Sequence, residues 1–289
     1  MLNRQRVLLA ILREAGGTAS HLQVTKWAFL LKQEAPSGGG SAFYQFLPYR
    51  FGPYSFCLYQ EAASLTRNGL IEDVDARRWR VTELGERVAD ELKETVRADI
   101  RKIIKPFLKK RTNDLVEYVY SRYAWFTVNS ELGPRTTRPS ASAAVYTAGY
   151  EGLHIDGFLN SLMQNGIEQL VDVRNNPVSR RYGFHKSTLA RLCEYVGIAY
   201  RHFPELGIAS RDRRDLNNTL DREKLFALYE RGLLPMRQRS IEAVAALVEN
   251  KPTVLVCMEA NHTLCHRSRL SNVVAEQCGL AIHHLETAA

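Results

Sequence analysis

Along the first 92 residues the apolar positions recur at helical spacing three times and then change to a strand-like pattern. RQRVLLAILREAG sets Val7, Leu8, Ile11 and Leu12 on one face, and Gly16-Gly17 stops the helix. HLQVTKWAFLLKQEA follows as a second helix with Ser20 as its N-cap. Residues 36–41 are a glycine-rich loop, and YRFGP at 49–53 is a turn. SFCLYQEAASLTRNG is a third helix, capped by Ser55 and ended by Gly69. LIEDV, a turn at 75–77 and RWRVTELG then predict a two-stranded hairpin.

Residues 93–132 continue as a long helical pattern interrupted by Pro106, where a ring without an N–H ends or kinks a helix. This stretch holds Tyr118, Tyr120, Tyr123, Trp125 and Phe126, which either stack on bases or pack the arm onto its neighbours. GPRTTRPSASAA, residues 133–144, has no periodicity and reads as a linker. From Val145 strands and helices alternate. AVYTAGYEG, IEQLVDVRNNP, IAYRHFPELG, TVLVCMEA and AIHHLE predict strands with their end loops, separated by amphipathic helices. That alternation implies an α/β unit with a mostly parallel sheet covered by helices. The expected division is therefore 1–92, a mostly helical unit; 93–144, a basic helical arm and linker; and 145–289, the α/β unit.

Charge sharpens this picture. Residues 1–140 hold 22 basic against 15 acidic residues, and residues 141–289 hold 17 against 16. Seven basic residues against one acid fall within 97–111, among them Arg101, Lys102, Lys105, Lys109 and Lys110. Such a segment is either a polyanion-binding surface or a solvated helix face. Five cysteines scattered over a long chain are not a disulfide framework. With no apolar run of membrane-spanning length and no cleavable leader pattern, a cytoplasmic protein is expected, without a membrane role.

Three segments carry candidate chemistry. They are Thr147–Gly152 (TAGYEG) after the first α/β strand, 172–181 (DVRNNPVSRR) after the second, and Cys257-Met258-Glu259 followed, after five residues, by Cys265-His266-Arg267. With GIAYRHFPELG at 197–207 they match, in order, "[ST]-x-G-Y-E", "D-V-R-x-x-P-x-S-R", "G-I-x-Y-x-H-x-P-x-L-G" and "C-x-E-x-x-x-x-x-C-H-R". On these four motifs the C-terminal half resembles the domain of unknown function family 488. The resemblance implies a fold and a site, and no reaction. The first 92 residues resemble a bacterial winged-helix domain, through helix–helix–helix–hairpin order, "L-x-x-x-G-L-I" before the hairpin and "V-T-E-L-G" after it. The segment around "Y-x-x-G-P-[YF]-S" also resembles a small bacterial family of phage-associated and antitoxin-like proteins.

Ligands of parallel sheets bind outside the carboxyl ends of the strands, where these polar clusters fall. Asp172 and Glu259 are placed there as acid/base or electrostatic groups, and Arg174, Arg180, Arg267 and Tyr150 as an anion-binding set. Cys265, at a helix start with His266 beside it, is a possible nucleophile. A zinc site from Cys257, Glu259, Cys265 and His266 is weighed against the irregular Cys-x7-Cys-His spacing, and no metal or other cofactor is expected. Structural roles for the cysteines stay open. His185, Lys186 and His202 are placed at the rim, and the charged run 211–215 is read as a lid or a solvated loop. The expectation is a nucleic-acid-associated protein whose α/β unit acts on a nucleotide or nucleic-acid unit by hydrolase- or glycosylase-like chemistry, in DNA maintenance or defence. The alternative is a DNA-binding regulator that senses a nucleotide-like ligand. A homodimer is compatible with either.

Overall fold

The structure, a computed structural model, describes residues 1–213 and 219–286. The chain divides into two compact units, Met1–Thr137 and Arg138–Ala289.

In the first unit α1 (Asn3–Glu14) buries Val7 through Leu12, and β1 (Thr18–Ser20) leads into α2 (His21–Glu34). The Ser20 hydroxyl accepts the Gln23 N–H, and the Gln23 side chain returns to Ser20 N, a reciprocal cap that fixes where α2 begins. The expected turn at 49–53 is the tip of an antiparallel ribbon, β2 (Leu47–Tyr49) and β3 (Gly52–Tyr54). α3 (Phe56–Arg67) is capped by Ser55, which accepts from Leu58 N. β4 (Ile71–Val74) and β5 (Arg78–Val81) pair antiparallel, and β1 adds to β5 to give a three-stranded sheet. The second hairpin strand ends sooner than RWRVTELG suggested. Thr82 accepts from Gly85 N and starts α4 (Glu83–Ala89) there.

α5 (Glu94–Ile104) passes through a short 3-10 turn at Lys105–Phe107, where Pro106 lies, and α6 (Thr112–Arg122) follows. The aromatic run is packed within this unit. The Tyr118 and Tyr123 hydroxyls donate to Glu34, the Tyr123 and Phe126 rings lie edge-on to Phe29, and Tyr120 is buried.

The second unit is built on β6 (Val145–Gly149), α7 (Ile155–Gln164), β7 (Gln169–Asp172), α8 (Lys186–Tyr195), β8 (Ala199–His202), α9 (Thr219–Leu228), α10 (Gln238–Asn250), β9 (Thr253–Cys257), α11 (His266–Cys278) and β10 (Ile282–His284). The strand order is β10-β6-β9-β7-β8, and every pairing is parallel. All carboxyl ends therefore open on one side. β6, β7 and β9 are buried along their whole length, which accounts for apolar runs without polar alternation.

Alternation along each strand sorts side chains between the two faces. Val145, Val171, Val173, Leu255 and Cys257 belong to one core cluster with α9, α10 and α11. Their neighbours Leu170, Asp172, Val254 and Val256 turn to the opposite face. A fully buried side chain such as Leu255 contributes roughly 1.5–3 kcal/mol. The last part of the expected linker is fastened to this unit, with Arg138 donating to the carbonyls of Ile167 and Val196.

Candidate functional site

The loops at the carboxyl end of the sheet interlock through the residues of the four motifs. Gly149 pairs with Cys257 at the ends of β6 and β9. A Cβ on Gly149 would come within 1.9 Å of the Glu259 carbonyl oxygen, so only glycine lets the two loops close up. Tyr150 N and Glu151 N both donate to Met258 O, and Ala260 N donates to the Glu151 carboxylate. Gly207 has a similar cause, because a Cβ there would lie 2.2 Å from Asn175 N. His202 Nε2 lies 2.8 Å from Arg174 O, and since a carbonyl can only accept, Nε2 is the donor.

Asp172 and Arg174 form a closed network on the face covered by α7 and α8. Arg174 Nε donates to Asp172 Oδ1 at 2.8 Å and Nη2 to Oδ2 at 2.6 Å, a two-pronged pair. Arg174 Nη1 donates to the Tyr150 hydroxyl and to Phe184 O, each at 2.8 Å, and the Tyr200 hydroxyl donates to Asp172 Oδ2 at 2.7 Å. Both charges are buried, at 0% exposure for Asp172 and 5% for Arg174. Burial opposes the charge on Arg174, but Asp172, and then Tyr150, hold the guanidinium protonated beyond its usual range. Burial also pushes the Tyr200 hydroxyl up, with Asp172 adding to the effect.

Arg267 is buried too, and donates to the carbonyls of Glu259 and Ala260. It holds the β9–α11 loop in place. Arg180 is exposed on the loop after β7 and makes no ion pair among the described residues. The structure therefore does not gather Asp172, Arg174, Glu259 and Arg267 into one pocket as expected. The sheet separates the Asp172–Arg174 pair, which alternates with Val171 and Val173 of the α9–α11 core, from Glu259, and Arg267 directs Nη1 and Nη2 onto the backbone carbonyls of Glu259 and Ala260.

A different set converges. A cleft of about 210 Å³ is lined by Glu151, Arg213, Arg222, Asn261 and by Glu259, Cys265 and His266, with apolar walls from Ile208, Leu225, Phe226 and Leu264. Cys257 Sγ donates to Glu259 Oε2 at 3.0 Å. His266 Nδ1 lies 3.8 Å from Cys257 Sγ and 3.9 Å from Cys265 Sγ, and its Nε2 lies 3.2 Å from Val173 O. Burial raises the Glu259 carboxyl, but the thiols of Cys265 and Cys257 outweigh it and hold it below the ordinary range. Burial, reinforced by Cys257, pushes the Cys265 thiol up, so the helix terminus does not make it a ready thiolate. Burial works against a charge on His266, while Cys265 and Glu259 favour it, and the net direction is upward. In either state Nε2 carries a proton, because Val173 O can only accept.

Of the residues placed at this site from sequence, Glu259, Cys265 and His266 face the cleft. Arg213 and Arg222 are its basic side chains, and Glu151 adds a second carboxylate. Arg222 was missed because it sits in an ordinary charged helix with no motif around it. Arg213 belongs to the charged run 211–215, of which residues 214 and 215 lie outside the described residues. His185 and Lys186 are exposed at the start of α8.

In the first unit, Lys102, Lys105, Lys109 and Lys110 are exposed and make no ion pair among the described residues. Arg101 is paired with Glu94 and Glu14. A second cavity, of about 650 Å³, is lined by residues of α2, the β2–β3 ribbon and the 76–77 turn. The buried Lys26 reaches into it and donates to Phe51 O and Pro53 O. The signal for this cavity was a single lysine inside the apolar run VTKWAFLL.

Residues 154–274 match the family model described as Domain of unknown function DUF488. The match runs from the start of α7 into α11, and it bears out the family reading of the C-terminal half. No curated protein matches the chain, and no solved structure does. Among the described residues, no helix is long and apolar enough to cross a membrane.

Proposed function

We propose that the second unit is a hydrolytic enzyme acting on a nucleotide or a nucleic-acid unit, and that the first unit is a winged-helix-like module that holds nucleic acid. One observation carries the enzymatic reading: an acid/base-capable carboxylate, Glu259, stands with Cys257, Cys265 and His266 at the strand ends of an all-parallel sheet, in a cleft with two arginines. Arg213 and Arg222 supply the phosphate-binding charge first assigned to Arg174 and Arg267. Glu259 serves as the general base or acid. The cleft volume is smaller than the ~300–1,000 Å³ that encloses a whole drug-sized ligand, so it takes one part of the substrate, a base or a sugar phosphate, and leaves the remainder outside.

For the first unit, support comes from the order of three helices and a hairpin with β1 completing the sheet, and from four unpaired lysines on α5 and the segment after it. The test is turnover. Labelled oligonucleotides and nucleotides incubated with the full chain should yield a new product. Glu259→Gln should abolish the product with binding retained, and Arg213→Ala with Arg222→Ala should raise KM. Ligand-dependent affinity for DNA without any product would replace this reading with a sensing regulator.

A further inference from the structure

Cys257, Cys265 and His266 come from two places, the last residue of β9 and the N-cap and first residue of α11. The loop between them folds back through a 3-10 turn at His262–Leu264 and sets their ligand atoms within 4.8 Å of one another, all buried. A tetrahedral ion with metal–sulfur bonds of ~2.3 Å and metal–nitrogen bonds of ~2.0–2.1 Å places its donor atoms roughly 3.5–3.8 Å apart. The sulfur–nitrogen separations of 3.8 and 3.9 Å are within a few tenths of an ångström of that spacing.

The imidazole is oriented for the task. Its Nε2–H is held by Val173 O, a backbone carbonyl on β7's extension, and this leaves Nδ1 aimed at both sulfurs. Ligating histidines are held in this way, the far N–H on a carbonyl fixing both tautomer and ring plane. Simple packing of two thiols would not need a histidine ring turned toward both of them. Glu259 Oε2, 3.0 Å from Cys257 Sγ, stands at the cleft side of the group.

We propose that Cys257, Cys265 and His266 bind one divalent transition-metal ion of the zinc class, with the fourth position open to water from the cleft. This revises the expectation of no metal, which rested on linear spacing; the fold supplies the proximity that Cys-x7-Cys-His does not display. Two thiolates and an imidazole favour such an ion over magnesium or calcium, which select oxygen donors. Binding releases the two thiol protons to solvent, so affinity rises with pH. The inference shares the cleft with the proposed enzyme and does not depend on its reaction.

The experiment uses the full chain, reduced, stripped with a chelator and titrated with Co²⁺. One equivalent should bind with a thiolate-to-cobalt charge-transfer band and the visible d–d bands of a tetrahedral ion, and Zn²⁺ should displace it. Cys257→Ser and Cys265→Ser should each lose most of the charge-transfer intensity and weaken metal binding by 100-fold or more. Cys193→Ser, a buried cysteine outside the group, should change neither. Glu259→Gln, which leaves the three ligands in place, should keep both the charge-transfer band and the d–d bands. Should a serine variant fail to fold, thiol counting on the wild type serves instead, with two cysteines protected from alkylation by one equivalent of Zn²⁺. Cobalt bound without a charge-transfer band, or reduced, folded protein that takes up no metal and protects no thiols, overturns the proposal. Stoichiometric metal with no turnover would keep this site and sink the hydrolase; turnover by metal-free protein with no uptake would do the reverse.

Discussion

Charged residues at strand ends were legible in the sequence, and their destinations were not. Asp172 and Arg174 sit two apart at the end of an apolar strand, and burying such charges is costly unless they are paired. Sequence leaves open whether the partner is a ligand or another residue. Here Asp172, Arg174, Tyr150 and Tyr200 satisfy one another, so three of the four motifs describe a buried network as much as a site. The cysteine cluster was named in the sequence and set aside on its spacing, because proximity made by a loop leaves no mark in linear spacing. The network predicts a stability effect without a binding effect. Asp172→Asn should cost about 3–5 kcal/mol, because it strands a buried guanidinium. The double variant Asp172→Leu, Arg174→Met should recover much of that loss. Urea unfolding, followed in the transition of the second unit, measures both. A single variant that left stability unchanged while abolishing ligand binding would return this pair to the functional site.

At the level of elements, periodicity located α1, α2 and α3 and the apolar runs of β6, β7 and β9, and the alternation of strands with helices placed β8 and β10. Periodicity missed α4, because the strand ends at Val81 and the very next residue, Thr82, caps the helix. It also missed the β2–β3 ribbon, because three-residue strands are too short to show a period. That ribbon supplies the carbonyls that meet Lys26 on α2. Burial pushes the Lys26 ammonium down to about 7. In the unfolded chain the same group keeps its proton up to its ordinary value of ~10.4. Between these two values the unfolded state binds more protons, so stability rises with pH, and the penalty is fully present below pH 7. The wild type should therefore gain melting temperature relative to Lys26→Met as pH is raised from 7 toward 10. The comparison cancels groups that titrate in both proteins. Parallel melting curves across that range would show that Lys26 keeps its charge inside the fold through its two carbonyl partners.

Across the whole molecule, the formal net charge of +8 falls almost wholly on residues 1–140. The structure divides that charge further. Arg97 is tied to Asp90 and Glu94, Arg101 to Glu94 and Glu14, and Arg111 to Asp114, so these arginines are partly neutralised by neighbours. Lys102, Lys105, Lys109 and Lys110 have no such partners among the described residues, and they lie within nine positions of one another. If these four ammonium groups contact phosphates of a duplex, each displaces a condensed counterion, and the logarithm of affinity falls by ~0.9 per contact for every tenfold rise in salt. Replacing all four by alanine should then flatten the salt slope by roughly 3–4 on duplex DNA, and by roughly 3 on a single strand, where each contact counts for ~0.7. Arg101→Ala should change it less, because Arg101 already has two carboxylates. Lys251→Ala should leave it unchanged, because Lys251 precedes β9, at the end of the sheet away from the cleft. Fluorescence anisotropy of a labelled duplex at four or five salt concentrations gives the slopes. A slope that the four-lysine variant does not alter, or no binding to any nucleic acid, would assign the first unit to a protein partner.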